Sequence, residues 1–170
     1  MSRRSFRVGR SKTGLGLFAT KPIRKRALIV RYIGRKIPNE EAERLEAKGA
    51  RYMYELNSKY TLDGSSRRNV GRYANHSCRP NAESDIVKGK VLIRAVRNIQ
   101  PGDEITYHYG KDYYEAYIGK AKCKCVTCTL RRKRERLVRK KRAERRARAE
   151  ARKRAESRAN ARRRKTRKTG

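Results

Sequence analysis

The sequence predicts a mostly β domain of short strands and frequent turns, followed by a basic tail that is helical or disordered. Three observations predict it. Short β-branched or aromatic runs recur between Gly, Pro and Asn turns over the first 110 residues, one helix-like stretch interrupts them at 38–49, and the composition changes abruptly at residue 131.

Taken in order, Ser5–Val8 and Leu28–Ile33 read as strands, with turns at Gly14, Gly16 and Pro22 between them. Pro38-Asn39-Glu40 opens a stretch that carries Ala42, Leu45 and Ala47 among charges, and Gly49 closes it, which predicts a helix of about three turns. No other clear helix is expected before residue 110. Tyr52–Leu56 and Lys59–Leu62 read as strands about a turn at Asn57-Ser58, and Val91–Arg97 as a strand entering the Pro101-Gly102 turn.

The charge balance sets the tail apart. Lys and Arg number 50 against 16 Asp and Glu, for a net charge of +34, and the mean hydropathy is −1.08. Such a chain is too polar to be globular throughout, so part of it lies outside the core. Residues 131–170 hold 22 Lys and Arg against 4 Glu. Ala at 143, 147, 149, 151, 155, 159 and 161, with Glu135/Arg139, Glu144/Arg148 and Glu150/Arg154 at i,i+4, favours helix. Leu130 and Leu137 are followed at the next heptad position by Glu144, so no coiled-coil seam is expected. The tail reads as frayed or disordered alone and helical when phosphate neutralises it, which makes nucleic acid a partner; a solvated tail or a localisation signal is the alternative. No apolar run approaches the ~20 residues needed to span a bilayer, and MSRRSFRVG has no apolar segment of a secretory kind. The expectation is an intracellular protein without a membrane partner.

Three of the four cysteines form Cys123-x-Cys125-x-x-Cys128, and the fourth is Cys78. Thiolates this close suit a metal better than a disulfide in a chain that is not secreted. A structural zinc site takes four tetrahedral ligands, and Cys78 is the one cysteine left to complete it. Free reduced thiols are the alternative.

The densest run of polar, ligand-capable side chains is Asn75-His76-Ser77-Cys78-Arg79-Pro80-Asn81. Upstream lies Gly14-Leu15-Gly16, and downstream Asp103-Glu104-Ile105-Thr106-Tyr107-His108-Tyr109-Gly110. Gly14 to Ala19 also fits the dinucleotide pattern G-x-G-x-x-A, but Pro22 and the β-branched Ile29-Val30 leave no room for the long helix that pattern requires. The three motifs, in this order, resemble those of the SET-domain lysine methyltransferases, in particular small bacterial- or viral-like members with a cysteine-rich post-SET segment. The aromatic set of 10 Tyr, 2 Phe and no Trp suits a narrow channel that both packs and orients a Lys stem.

The resemblance implies a SET fold of small curved sheets with a pseudoknot, with a SET domain at 1–120, a post-SET segment at 121–130 and the tail at 131–170. It implies S-adenosyl-L-methionine as cofactor, contacted by Gly14, Leu15, Gly16, Asn75, His76 and Tyr109. It makes Tyr109 the catalytic tyrosine, Tyr107 the position that governs methylation degree and biases it toward monomethylation, and Tyr32 a wall of the lysine channel, although Arg35 stands where the family commonly has Glu. Tyr54 is a further channel candidate, while His108 reads as a surface or packing residue. Cys78, Cys123, Cys125 and Cys128 would bind structural zinc, with Cys125 and Cys128 closer together in sequence than is usual. The implied activity is protein-lysine N-methylation of histones or histone-like DNA-binding proteins, with chromatin or nucleoid as location. An inactive SET core in a nucleic-acid-binding chromatin protein, or a non-histone target such as a ribosomal protein, are the alternatives. The acids expected to draw in a basic peptide are among Glu83, Asp85, Asp103, Glu104, Asp112 and Glu115.

Overall fold

The computed structural model describes residues 4–166. In chain order the elements are β1 (Phe6–Ser11), β2 (Gly14–Ala19), β3 (Leu28–Tyr32), β4 (Arg35–Pro38), α1 (Asn39–Ala47), β5 (Met53–Glu55) and β6 (Tyr60–Asp63). A 3-10 turn at Val70–Tyr73 leads into β7 (Asn75–His76), β8 (Ala82–Val87), β9 (Lys90–Ala95) and β10 (Glu104–Tyr107). Short α2 (Lys111–Tyr113), a π-helical turn at Tyr114–Ile118 and α3 (Gly119–Lys122) precede the long α4 (Val126–Thr166).

The strands make three small sheets, ordered β1-β2-β10-β7, β3-β9-β8 and β4-β6-β5. All pairings are antiparallel except that of β10 with β7. Leu17, Ala19, Ile29, Ile93, Ala95 and Ile105 are buried in one cluster drawn from the first two sheets. Each large apolar side chain buried there contributes about 1.5–3 kcal/mol. Tyr32, Leu62 and Val91 form a second, smaller cluster that reaches the third sheet.

The stretch read as a glycine turn is instead β2, paired over its whole length with β1 from Phe6↔Ala19 to Ser11↔Gly14. Gly16 is needed for close approach: a Cβ there would collide with Glu104 Oε1, Ser11 Cβ and Asn75 Nδ2. The helix expected near 38–49 is α1, with Glu40 and Glu41 in its first turn. It ends as its sequence dictates, with Gly49 at φ +98 and the N–H groups of Gly49 and Ala50 donating to the carbonyls of Glu46 and Leu45.

Residues 75–81 are held against β10 in the pseudoknot. Ser77 N–H donates to the Tyr107 carbonyl at 3.0 Å and Asn81 N–H to that of Thr106 at 3.2 Å. The buried Asn81 amide donates to the Glu104 carbonyl and accepts from Thr106 N–H, both at 2.9 Å, so its polar groups replace a missing stretch of ladder. This places Asn75 and His76 beside the end of β10, from which Tyr107 and Tyr109 project.

The chain divides into two units, 1–128 and 129–170. In the second, the described residues are helical, and Leu130, Leu137 and Val138 are exposed. Among the described residues its ion pairs are Arg131–Glu135, Lys140–Glu144 and Arg152–Glu156, so Glu135 and Glu144 take the cation one turn before them rather than Arg139 and Arg148. Exposed pairs of this kind contribute about 0–1 kcal/mol each. Among the described residues no helix is long and apolar enough to cross a membrane.

Candidate active site and metal centre

Tyrosines from four parts of the first unit converge. The rings of Tyr107, at the end of β10, and Tyr109 lie 4.9 Å apart, Tyr113 of α2 meets Tyr109 edge-on at 5.4 Å, and Tyr32 of β3 lies 5.6 Å from Tyr54 of β5. Most hydroxyls are anchored: Tyr109 donates to the Ala74 carbonyl at 3.0 Å, Tyr32 to that of Tyr52 at 2.8 Å and Tyr54 to Ser84 Oγ at 2.9 Å. Burial pushes the phenols of Tyr32, Tyr107 and Tyr109 well above their ordinary range, with neighbouring tyrosines adding to the shift for the last two. They stay neutral at any physiological pH.

This wall separates two clefts and lines both, through Met53, Tyr54, Tyr109 and Tyr113. One, of 410 Å³, is edged by Gly14, Leu15 and Asn75 and contains Arg51 and Arg72. The Arg72 guanidinium lies 3.6 Å from the centre of the Tyr52 ring and donates to the Ser65 carbonyl, and its Nε is buried without a hydrogen-bond partner. Two guanidiniums over aromatic faces suit a carboxylate. The other cleft, of 730 Å³, presents Glu43 and Glu46 of α1, Glu55 of β5 and Asp112 of α2, with Lys111 as its one cation. Burial raises the Glu46 carboxyl, an effect that Arg51 opposes. Of the acids expected from sequence to draw in a basic peptide, only Asp112 lies at this opening.

Asn75 and His76 act largely through the protein itself. The Asn75 amide donates to the Leu15 carbonyl at 3.0 Å and to Glu104 Oε1 at 2.7 Å, clamping the β2 end of the glycine segment to β7. His76 Nδ1 accepts the Tyr109 backbone N–H at 3.3 Å, and Nε2 lies 3.4 Å from Cys78 Sγ. Burial, helped by His108, lowers its pKa to about 4, so the ring is neutral with its proton on Nε2, facing the sulfur. His108 is exposed, meets His76 edge-on at 4.8 Å and accepts Gly110 N–H.

The side-chain sulfurs of Cys78, Cys123, Cys125 and Cys128 lie within 4.8 Å of one another. Burial and the adjoining thiols push Cys78 up to about 12; at Cys125 burial is overcome by hydrogen bonds from neighbouring cysteines, leaving it at about 7. Four thiols packed together cannot all ionise without a cation, and a tetrahedral S4 set is the donor chemistry of zinc. The four cysteines could therefore hold one zinc ion, with His76 as an outer partner to a ligating sulfur.

Of the sequence-predicted residues, Tyr32, Tyr107, Tyr109, Gly14, Leu15 and Asn75 line the glycine-edged cleft, whereas Gly16 is buried against Asn75 and His76 faces Cys78, through which the four cysteines adjoin Tyr109. Sequence reasoning missed Arg51, Arg72, Tyr52 and Tyr113. It also missed Asn69, fully buried, which accepts Ile33 N–H and donates to the Gly64 carbonyl, both at 3.1 Å. Gly64 is required beside it, since a Cβ would strike Tyr32 Oη. The one available signal was the Asn and Gly content of the 63–75 loop, which reads equally well as ordinary turn chemistry.

The SET domain family matches residues 14–110. Histone-lysine N-methyltransferase 2D of Homo sapiens is 36% identical over 122 residues, which are 66% of this chain and 2% of that protein, so the chain spans a small fraction of this relative. Among solved structures, "Structure of ctPRC2 in complex with H3K27me3 and H3K27M" aligns with a TM-score of 0.63 at 23% identity over 72% of this chain and 16% of the other. "ctPRC2 in an autoinhibited conformation bound to S-adenosylmethionine" aligns with a TM-score of 0.57 at 24% identity, over 64% and 15%. These two likenesses show a shared fold.

Proposed function

Because the chain belongs to the SET-domain family, we propose that it is an S-adenosyl-L-methionine-dependent protein-lysine N-methyltransferase, biased toward monomethylation of histones or histone-like DNA-binding proteins at chromatin or nucleoid. The observation that carries this reading is the tyrosine wall shared by a glycine-edged cleft with two guanidiniums and an acidic cleft. The bound cofactor supplies an activated methyl group on sulfonium. Arg51 and Arg72 would receive its carboxylate, and Gly14, Leu15 and Gly16, clamped by Asn75, would hold it. Glu43, Glu46, Glu55 and Asp112 attract a basic peptide to the other side, and its target Lys passes between Tyr32, Tyr54, Tyr107 and Tyr109. A free Lys has a pKa near ~10.4, and the apolar, cationic surroundings favour its neutral form. Tyr109, whose proton is committed to Ala74, turns its lone pairs to the amine and aligns it; alignment is the main catalytic contribution for so activated a donor.

Structural zinc on the four cysteines would fix the segment after β10 beside His76 and Tyr109. The basic helix α4, with its exposed cations, is assigned to nucleic acid, which brings the enzyme to substrates already on DNA. Calorimetry of the full chain with S-adenosyl-L-methionine tests the reading: binding of one cofactor per chain is expected. No measurable binding would overturn the enzyme assignment and leave an inert SET core.

A further inference from the structure

Asn69 immediately precedes the 3-10 turn at Val70–Tyr73 and has no exposed surface. It lines neither the glycine-edged cleft nor the acidic one, so it acts there only through other residues. A polar side chain buried so completely depends on the partners that satisfy it. The backbone is engaged, its N–H donating to the Ser66 carbonyl at 3.0 Å and its carbonyl accepting Arg72 N–H at 3.2 Å. In the side chain, Oδ1 accepts Ile33 N–H and Nδ2 donates to the Gly64 carbonyl, both at 3.1 Å. An amide nitrogen carries two hydrogens, so one is left.

That hydrogen faces Tyr32. A Cβ on Gly64 would strike both Asn69 Nδ2 and Tyr32 Oη, so the glycine leaves the two side chains adjacent, with the remaining amide hydrogen directed at the phenol oxygen. The Tyr32 hydroxyl donates in turn to the Tyr52 carbonyl at 2.8 Å, and Gly64 N–H donates to the same carbonyl at 2.8 Å. Tyr32, Tyr52, Gly64 and Asn69 thus close a ring of polar contacts behind the tyrosine wall. Gly71 lets the turn press against it, since a Cβ there would crowd the Arg31 carbonyl, Tyr32 Cα and Asn69 Oδ1. The Tyr32 hydroxyl is therefore occupied by the protein as donor and as acceptor. The Tyr107 hydroxyl, on the same wall, has no such partner among the described residues.

We propose that Asn69 is a positioning residue: by engaging the Tyr32 hydroxyl from behind, it makes Tyr32 a silent wall of the lysine channel and leaves Tyr107 and Tyr109 as the hydroxyls that meet the amine. The inference rests on the methyltransferase reading of the same site. A Tyr32 oxygen released by loss of Asn69 would offer the amine a second acceptor beside Tyr109 and draw it out of line with the methyl donor. The test uses the full chain labelled with ¹³C at tyrosine Cζ, the Tyr32 signal being assigned by its loss in Tyr32→Phe. Asn69→Ser should shift the Tyr32 signal, a readout independent of catalysis. It should also lower kcat on a lysine peptide about 2–10-fold, the worth of one neutral hydrogen bond, with cofactor affinity by calorimetry unchanged. In the Tyr32→Phe background the same substitution should leave kcat unchanged, because the hydroxyl it acts on is gone. If Asn69→Ser melts early, Asn69→Asp replaces it with the same expectations, keeping the shape of the side chain without donating on both sides. An unmoved Tyr32 signal overturns the proposal. So does an equal loss of kcat with and without the Tyr32 hydroxyl, which would reduce Asn69 to a support of the fold. Wild-type protein that transfers no methyl group would overturn the methyltransferase reading itself, while the Tyr32 signal would still decide whether Asn69 holds that hydroxyl.

Discussion

The hydroxyl of Tyr109 donates a hydrogen bond to the main-chain carbonyl of Ala74, 3.0 Å away, in the residue before Asn75 and His76. With the Tyr109 backbone N–H held by His76 Nδ1, the ring is fixed at both ends. A phenol so committed, with its pKa raised by burial, is an acceptor and orienting group rather than a base.

Tyr109→Phe should lower methyl transfer by about 10²–10³, the usual consequence of removing one oriented polar group from a catalytic site. Cofactor affinity by calorimetry should stay within a few fold. Because the raised pKa keeps the proton on Tyr109 through neutral and mildly basic pH, wild-type transfer should rise with pH between about 7 and 9 as the substrate amine deprotonates. A descending limb in that range would contradict the un-ionised phenol.

Tyr107 is 7% exposed and lines the glycine-edged cleft, and among the described residues its hydroxyl meets no hydrogen-bonding protein group. The proposed monomethyl bias requires this hydroxyl to hold a water where a second methyl would sit. Mass spectra of products from Tyr107→Phe should shift toward di- and trimethyl-lysine; an unchanged distribution removes Tyr107 from control of methylation degree.

The four cysteines should carry one zinc ion per chain by elemental analysis of protein purified without chelator. Cys78→Ser should lose the metal and, through His76, loosen Tyr109, so activity and thermal stability fall together. Metal-free protein of full activity would refute the site.

Glu43→Gln/Glu46→Gln should raise KM for a basic peptide about 1.4–5-fold per charge, in keeping with ~0.2–1 kcal/mol for a partly exposed ion pair. The effect should shrink at high salt and spare kcat. Equal KM values for wild type and variant at low salt would move the peptide away from this cleft.

The motif residues were legible because function confines them to short runs: Asn75-His76, Tyr107-x-Tyr109 and Cys123-x-Cys125-x-x-Cys128 each sit within a few positions, and Cys78 was the one cysteine left to join the last. The helix α1 was legible from its Gly49 stop. The strand β2 was not, since its glycines read as turn signals, whereas Gly16 is demanded by Glu104 and Asn75 pressing on the backbone. Nor was the acidic cleft. Glu43, Glu55 and Asp112 come from α1, β5 and α2, so their charges converge only once these separate elements are packed together. Asn69 and Asn81 look like loop residues in sequence, and their buried hydrogen bonds depend on segments up to 36 residues away.

The central claim is that the tyrosine wall joins a methyl donor on one side to a lysine of a basic protein on the other. Its most direct measurement is transfer from labelled S-adenosyl-L-methionine to core histones and histone-like proteins, with product lysines identified by mass spectrometry. The account predicts label on lysine Nζ, predominantly as monomethyl product, in wild type and not in Tyr109→Phe. Cofactor binding without label on any lysine, or equal label in the Tyr109→Phe protein, would contradict it.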